Sequence, residues 1–173
     1  MARTATHERG PVSEDLALRL AALERRLARV EDELAIHRLI VRYGLAVDVG
    51  DADQAAEVFT PDGIYDVDVG RMAGRDAVRA MVQGERHQSM VGQCAHQVGP
   101  AVVELQGPDR AVATGYSRVY LETRAGTHIY RVSFNRWELV KQDDDWRIVR
   151  RTTRLLGHAE ALPFFRDAVG KRT

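Results

Sequence analysis

A chain of 173 residues has the size of one ordinary domain and can bury a substantial core. Apolar residues make up 45% of the sequence and charged residues 29%, a balance typical of a globular protein rather than of a disordered or membrane one. The 25 basic and 25 acidic side chains cancel, which removes the main electrostatic reason to expect nucleic acid or an anionic membrane surface as a partner. The single cysteine, Cys94, excludes an intrachain disulfide. No apolar run reaches the roughly 18 residues that span a bilayer, and residues 1–10 lack an apolar signal core, so we expect a cytoplasmic protein.

The N-terminal part of the chain carries a helical heptad pattern. Residues 1–12 are polar and have no period, so we expect a disordered lead-in there. Ser13, followed by two acids, is a good N-cap for a helix over residues 13–34. Apolar residues in this helix alternate in spacings of four and three, the seam of a coiled coil: Leu16, Leu20, Leu23, Leu27, Val30 and Leu34. The seam predicts self-association through this helix; the alternative is an amphipathic helix docked on its own domain.

A second helical segment, residues 36–47, has a broader apolar face that suits packing on a sheet. It continues or kinks from the first helix, and Asp48, Gly50 and Asp51 then break the pattern. Beyond this break we predict a short helix from Asp53, a turn at residues 60–63, a short strand at 64–69 and a helix around 77–82.

From residue 98 the hydrophobic period changes from helical to alternating. This change predicts four strands in succession, joined by hairpin-like turns: residues 98–105, 111–123, 127–140 and 146–156. Helices first and an antiparallel meander last indicate an α+β domain over residues 35–157, with the helices gathered on the concave face of a curved sheet. The C-terminal tail, residues 158–173, is apolar enough to dock on this domain.

Two residues could form a proton-transfer pair. Asp48 ends a helix whose last residues are apolar, and a carboxylate there opposes the helix dipole unless a partner compensates for it. His96 precedes the predicted strand at 98–105. An imidazole held by a carboxylate is oriented, is fixed in one tautomer, and can stabilise the imidazolium that forms when it accepts a proton. Without such a contact, Asp48 is an exposed loop residue and His96 a structural histidine.

Tyrosines and arginines add candidates for substrate binding. Tyr43 lies five residues before Asp48, so both side chains could reach one cavity mouth. Tyr43 and Tyr65 are candidate hydrogen-bond donors, with core packing as the alternative role. Arg150 and Arg151 are neighbours on the last predicted strand and therefore face opposite ways. The inward arginine would bind an anionic group or developing negative charge, and the sequence leaves open which of the two it is.

Several familiar signatures do not occur in the sequence. It contains no Gly-rich phosphate loop, no nucleophile elbow and no metal-binding histidine pair at helical spacing. His87, His128 and His158 are scattered, and no spacing groups them into a metal site. We therefore expect neither a metal nor a cofactor, and acid–base chemistry carried by side chains alone.

Several short motifs occur in a fixed order between residues 34 and 156. They are IHRLIVRY at residues 36–43, AVD at 46–48, FTPDG at 59–63, AH at 95–96, Trp137, and DWRI at 145–148. Together they resemble the SnoaL-like branch of the nuclear-transport-factor-2-like superfamily. The resemblance implies a cone-shaped α+β fold with N-terminal helices against the sheet. It implies little about substrate, because this fold hosts isomerases, cyclases, hydrolases, dehydratases and binding domains.

The resemblance also implies catalytic roles. Scytalone dehydratase, hexachlorocyclohexane dehydrochlorinase and bile-acid 7α-dehydratase each have an aspartate at the end of this helix and a histidine before this strand, working as a dyad. Asp48 and His96 occupy the matching places. Tyr43 matches the helix tyrosine of the bile-acid enzyme and would hydrogen-bond the oxygen that gains charge. These relatives form trimers, so the resemblance implies a homo-oligomer, a trimer or a dimer.

Four further positions are substrate-binding candidates by the same resemblance. Tyr65 matches a scytalone dehydratase tyrosine, and Arg151 matches the last-strand arginine of the dehydrochlorinase. Ser117 and Phe134 stand where scytalone dehydratase has a second histidine and an asparagine. Those two differences make scytalone itself an unexpected substrate.

The resulting expectation is a cofactor-independent lyase of the dehydratase type, acting on a small hydrophobic hydroxy-carbonyl, steroid-like or polyketide-like molecule. An isomerase or cyclase on the same scaffold is one alternative, and a small-molecule-binding protein without turnover is another. The hydrophobic ligand is inferred from the expected apolar lining: Leu45, Met72, Met81, Met90 and Phe134.

Overall fold

The computed structural model describes residues 11–170. Most of the expected lead-in, residues 1–10, and the last three residues of the tail lie outside the described part. The chain separates into two compact units, residues 1–32 and residues 33–173. Within the described residues, no helix is long and apolar enough to cross a membrane.

Helix α1 (Pro11–Asp48) is continuous, and residues 11–32 of it make up the described part of the first unit. Ser13, the predicted N-cap, lies within this helix. Of the two arrangements that the sequence left open, a continuation or a kink between the two helical segments, the structure shows the continuation. The six apolar residues of the heptad seam are between 47% and 65% exposed.

The second unit is a mixed α+β domain, which confirms the predicted fold class. Its further elements are α2 (Ala52–Glu57), β1 (Phe59–Val67), β2 (Gly70–Ala73), α3 (Arg75–Gln83), α4 (Glu85–Gln88), β3 (Cys94–Leu105), β4 (Arg110–Thr123), β5 (Gly126–Gln142), β6 (Asp145–Leu155) and α5 (Ala161–Gly170). The six strands form one sheet in the order β2-β1-β6-β5-β4-β3. The pairing of β1 with β6 is parallel, and the other four pairings are antiparallel.

The core of this unit lies between the second half of α1 and the sheet. Ile36, Leu39, Ile40, Tyr43 and Val47 fall on one face of the helix and are almost completely buried. They belong to one apolar cluster with residues of the last two strands: Trp137, Leu139, Trp146 and Ile148. The helix is thus fixed on the sheet by burial of its broad apolar face, as the sequence predicted.

The structure differs from the prediction at several boundaries. The turn expected at residues 60–63 lies inside β1, where the register with β6 shifts between Phe59 and Ile64. Strand β2 has only four residues, too short for a periodic signal. The tail forms helix α5, whose Phe165 ring stacks on Phe134 at a centroid distance of 4.5 Å. Strand β3 begins at Cys94 rather than at residue 98, so His96 lies within the strand and not before it.

Candidate active site

Helix α1 ends sharply, and its end positions Asp48. Gly50 adopts a φ of +73°, a conformation that glycine reaches without a steric penalty. Its N–H donates to the carbonyl of Val47 at 3.2 Å, while the N–H of Asp51 donates to the carbonyl of Ala46 at 2.9 Å. This hydrogen-bond pattern is a Schellman motif. It stops the helix directly after Asp48, so the carboxylate projects from the last helical position.

Asp48 and His96 are in direct contact. Asp48 Oδ2 accepts the backbone N–H of His96 at 2.7 Å, and Asp48 Oδ1 lies 2.5 Å from His96 Nδ1. Both side chains are mostly buried, with 17% of the aspartate and 18% of the histidine exposed. The predicted pair is therefore present as a geometric unit in the folded chain.

The contact assigns the histidine tautomer. An ionised carboxylate only accepts hydrogen bonds, so Nδ1 of His96 carries the proton that points at Asp48. Nε2 of the neutral ring then has a free lone pair. Since the second bond, from the backbone N–H, fixes the carboxylate as well, His96 is held in one orientation. A base with this geometry can take a proton through Nε2 and have the resulting cation stabilised by Asp48.

A glycine in α1 permits this contact. A Cβ at Gly44 would lie 3.1 Å from the carbonyl oxygen of His96 and 3.3 Å from Cγ2 of Val98. Gly44 precedes Asp48 by about one helical turn. The absence of a side chain at Gly44 therefore lets α1 approach β3 closely enough for Asp48 to reach His96.

A cavity of about 450 Å³ opens beside His96. This volume is in the range that holds a small organic ligand. Much of its wall is apolar and comes from α1, the β1–β2 hairpin, α3 and the turn after α4: Val47, Val67, Val69, Met72, Met81 and Met90. The three methionines expected in the lining are thus confirmed, but Leu45 is 61% exposed, because it faces away from the sheet on α1.

Tyr43 and Tyr65 also line the cavity, and Arg151 lies between them. The Arg151 guanidinium is 4.7 Å from the centroid of each tyrosine ring. Burial is the main cause that raises the pKa of Tyr43 well above its usual range, and the charge of the neighbouring Tyr65 adds to the shift. The charge and hydrogen bond of Arg151 oppose this shift only in part. Tyr43 is therefore a neutral phenol, able to donate a hydrogen bond, over the whole physiological pH range.

The structure settles the question of the two neighbouring arginines. Arg151 is the inward one and is 3% exposed. Its Nε and Nη2 donate to Asn135 Oδ1 at 3.2 and 3.0 Å. Arg150 is half-buried and faces Asp66, with an Nη1–Oδ2 distance of 3.5 Å. Because Arg151 reaches the tyrosines and Asn135 rather than the cavity surface, its position supports the tyrosines and is not that of a direct ligand contact.

Two other sequence candidates do not line the cavity. Ser117 is buried and accepts a hydrogen bond from Asn135 Nδ2 at 2.9 Å, as part of the same polar network under Arg151. Phe134 is buried against α5, where it packs on Phe165 and on Tyr116. The expectation of substrate contact for both residues came from aligned positions, and the α5 helix that covers Phe134 was not predicted.

Some residues of the cavity were not singled out from the sequence. His87 lines it, and its Nε2 lies 2.7 Å from the carbonyl oxygen of Val47, one of the last carbonyls of α1. That placement puts an imidazole at the negative end of the helix dipole, next to Asp48. Arg71, Arg86, Tyr130 and Arg131 also contribute to the wall. Their spacing in sequence carries no signal, because they come from three separate elements, β2, α4 and β5.

Arg131 has a structural partner. Asp68, in the tight connection between β1 and β2, forms an ion pair with Arg131 and accepts the backbone N–H of Leu155 at 3.1 Å. Burial opposes ionisation of Asp68, but the hydrogen bond and charge of Arg131 outweigh it and lower the pKa of Asp68 below its usual value. Since Val67, Val69 and Arg71 flank this aspartate, the ion pair anchors one wall of the cavity.

Asp48, Cys94 and His96 bring three metal-ligating atoms within 4.8 Å of one another, a grouping that the sequence analysis did not foresee. The thiol of Cys94 lies 3.7 Å from Asp48 Oδ1 and acts as a hydrogen-bond donor. Burial, followed by the charge of Asp48, raises the pKa of Cys94. Because metals bind the thiolate, both effects oppose metal binding here. Asp48 already accepts three donors, so the arrangement is satisfied as a hydrogen-bonded cluster.

The fold and the site define a class of protein. It is a small α+β domain in which an aspartate at the end of one long helix hydrogen-bonds a histidine on an edge strand, beside a ligand-sized cavity. The SnoaL-like domain family model matches residues 28–152, and the chain belongs to this family. The resemblance found in the sequence motifs is thereby confirmed.

Solved structures agree with this assignment. The chain is 38% identical to an NTF2-like protein with a cystatin-like fold from Novosphingobium aromaticivorans, with a TM-score of 0.79 over 83% of this chain and 95% of that one. It is 30% identical to a protein of unknown function from Mycobacterium tuberculosis, with a TM-score of 0.66 over 84% and 76% of the two chains. A protein from N. aromaticivorans, named provisionally as a scytalone dehydratase, shares the fold at 18% identity, with a TM-score of 0.65 over 74% and 86%. No curated protein resembles the chain closely enough to count as a match.

Proposed function

We propose that this protein is a cofactor-independent lyase that removes water from a small, largely hydrophobic β-hydroxy carbonyl compound. The observation that carries the proposal is the His96–Asp48 pair, with its fixed tautomer, at the wall of a 450 Å³ cavity. Imidazole with an oriented carboxylate is a suitable base for a carbon acid next to a carbonyl, because the carbonyl accepts the charge.

The steps use side chains of this chain only. His96 Nε2 takes a proton from the carbon next to the substrate carbonyl, and Asp48 stabilises the imidazolium. The phenol of Tyr43 donates a hydrogen bond to the carbonyl oxygen as negative charge develops on it. The electron pair then forms the C=C bond, the C–O bond to the β-hydroxyl breaks, and the proton held by His96 leaves with that oxygen as water.

The cavity also indicates a substrate class. Its apolar wall would bury a hydrocarbon skeleton. Arg71 and Arg86 line the same cavity and are exposed, and the ion pairs of the described residues include neither of them. We infer that the substrate carries an anionic group, such as a carboxylate or phosphate, that binds these two arginines.

An isomerase or cyclase is the second candidate, because it would use the same first step and differ only in where the proton or the new bond goes. A binding protein without turnover is the third, since the apolar cavity would hold such a ligand whether or not a proton moves. The experiment below separates both of these from a lyase.

The first test is proton exchange. Candidate ketones and thioesters are incubated with the protein in D₂O, and deuterium at the carbon next to the carbonyl is followed by NMR, together with formation of the conjugated alkene. A lyase gives the alkene, with exchange as well where the proton transfer reverses; an isomerase gives exchange without alkene, and a binding protein gives neither. We expect His96→Gln to lower the exchange rate by about 10²–10⁴-fold. His128→Gln is the matched control, because His128 is exposed and does not line the cavity.

The second test is independent of substrate. Nitrogen-15 NMR of the histidine rings distinguishes a protonated Nδ1 from a protonated Nε2. In the wild-type protein, we expect His96 to show one tautomer with Nδ1 protonated. In Asp48→Asn, we expect the two tautomers to mix, because the amide can donate as well as accept. A mixed His96 in the wild-type protein would remove the base from the proposal.

A further inference from the structure

The first part of helix α1 carries an apolar seam that the described residues leave open. Its six members fall at heptad positions: Leu20, Leu27 and Leu34 at a, and Leu16, Leu23 and Val30 at d. All six are between 47% and 65% exposed. Apolar side chains that recur in every turn of an exposed helix face are typical of a coiled-coil strand without its partner.

We propose that this seam binds the same seam of another copy of this chain, forming a parallel coiled coil over residues 16–34. The occupant is identified by charge complementarity at the positions that flank the seam. In a parallel coiled coil, each g residue faces the e residue five positions further along the other strand. The sign of the charges at these positions therefore selects both the partner and its direction.

The flanking charges match a second copy in parallel register. Arg19 and Arg26 are at g positions, and they would face Glu24 and Glu31 of the partner subunit, which are at e positions. The next pair keeps the match with the signs exchanged, because Glu33 at g would face Arg38 of the partner subunit. Each of these contacts joins opposite charges, and each occurs twice because the two strands of the coiled coil are related by symmetry.

The antiparallel arrangement lacks this match. In an antiparallel coiled coil, e positions face e positions and g positions face g positions. Glu24 would then face Glu31 of the partner subunit, a repulsive contact. Within this helix Arg19 lies 4.0 Å from Asp15, but both side chains are more than two-thirds exposed, so that pair competes weakly with a new one.

The seam is short, about 28 Å at 1.5 Å per residue. Fewer than three full heptads give a marginal coiled coil. We therefore expect reversible association that depends on protein concentration, and the e and g charges should have a large effect on it.

The test is a charge exchange in the full-length chain. One variant carries Arg19→Glu with Arg26→Glu, and the other carries Glu24→Arg with Glu31→Arg. By light scattering and sedimentation, we expect each variant alone to associate at least about tenfold more weakly than the wild type, because every exchanged contact becomes repulsive. An equimolar mixture of the two variants should regain the association, because their charges match each other.

Direction is tested by disulfide formation. Leu20→Cys places a thiol at an a position, where a parallel, in-register partner presents the same residue. Under mild oxidation we expect this variant to form a covalent dimer, whereas Leu18→Cys, on the outer face of the same helix, should not. Circular dichroism shows whether each variant keeps its fold. A wild-type protein that has the mass of one chain at all concentrations overturns the proposal, and so does a mixture of charge variants that associates no better than either alone.

Discussion

Asp48 binds His96 twice, through the backbone N–H at 2.7 Å and through ring Nδ1 at 2.5 Å. The two residues are 48 positions apart in sequence and lie on a helix end and an edge strand. A double contact of this kind fixes both the place and the rotation of the imidazole. The proposed chemistry needs that fixed orientation, because a base must present its lone pair to one carbon of the substrate.

Gly44→Ala is expected to disturb the dyad without unfolding the protein. The new Cβ would meet the carbonyl oxygen of His96 at 3.1 Å, so α1 and β3 must separate slightly and Asp48 is withdrawn from His96. We expect a loss of activity of about 10–10²-fold, the usual cost of a misplacement of about 1 Å. Exchange kinetics and the His96 nitrogen-15 spectrum measure the effect. Leu45→Ala is the control, since this neighbouring side chain is exposed, and an equal loss in both variants would contradict the explanation.

Tyr43→Phe is expected to lower kcat by about 10²-fold, because one hydrogen bond to the developing oxyanion is lost. Burial raises the pKa of Tyr43, so its phenol stays protonated up to strongly alkaline pH. The ratio of wild-type to variant rates should therefore be constant between pH 6 and pH 9, which a pH–rate profile measures. Tyr116→Phe is the control, because Tyr116 is exposed and keeps its ring packing. A ratio that falls steadily towards pH 9 would mean that Tyr43 ionises in that interval.

Arg86→Gln is expected to raise KM about tenfold for substrates with a carboxylate or phosphate, since a charge-assisted hydrogen bond is lost. For neutral analogues KM should stay the same. Steady-state kinetics on a matched pair of acid and amide substrates measures the difference. Arg124→Gln, in the exposed turn between β4 and β5, is the control. If both substrates of the pair respond equally to Arg86→Gln, the arginine does not select for negative charge.

Asp68→Asn is expected to reduce the free energy of unfolding at neutral pH by about 1.5–3 kcal/mol, the typical contribution of a hydrogen bond to a charged group. Arg131 and the Leu155 N–H lower the pKa of Asp68 in the folded state. The ionised carboxylate therefore makes its full contribution to the free energy of unfolding above the unfolded pKa of about 3.9. That contribution is lost as the pH falls through the folded pKa. Urea unfolding at pH 7 and at pH 3 measures this. The difference in free energy of unfolding between wild type and variant should be smaller at pH 3 than at pH 7. Asp62→Asn is the control: because this carboxylate is exposed, the free energy of unfolding of the variant should stay close to that of the wild type at both pH values.

The sequence by itself determined the fold class and the main helical and strand segments. The apolar face at Ile36, Leu39, Ile40, Tyr43 and Val47 has a helical period, and the later strands alternate, so the element types and their buried faces follow from the pattern alone. The heptad seam is equally visible, because its period is local. The resemblance in the motifs then pointed to Asp48 and His96, although no local pattern could show that they meet.

The tertiary structure alone decided what surrounds the dyad. Cavity walls come from elements far apart in sequence, so His87, Arg71 and Arg86 have no common signal, and the α5 helix covers Phe134 from a tail with no clear period. Arg151 proved to be the inward arginine because the register of β6 places it beneath Tyr43 and Tyr65. Periodicity reports which face of an element is buried, whereas the contents of a cavity depend on how separate elements pack, and that packing is fixed only when the whole chain folds.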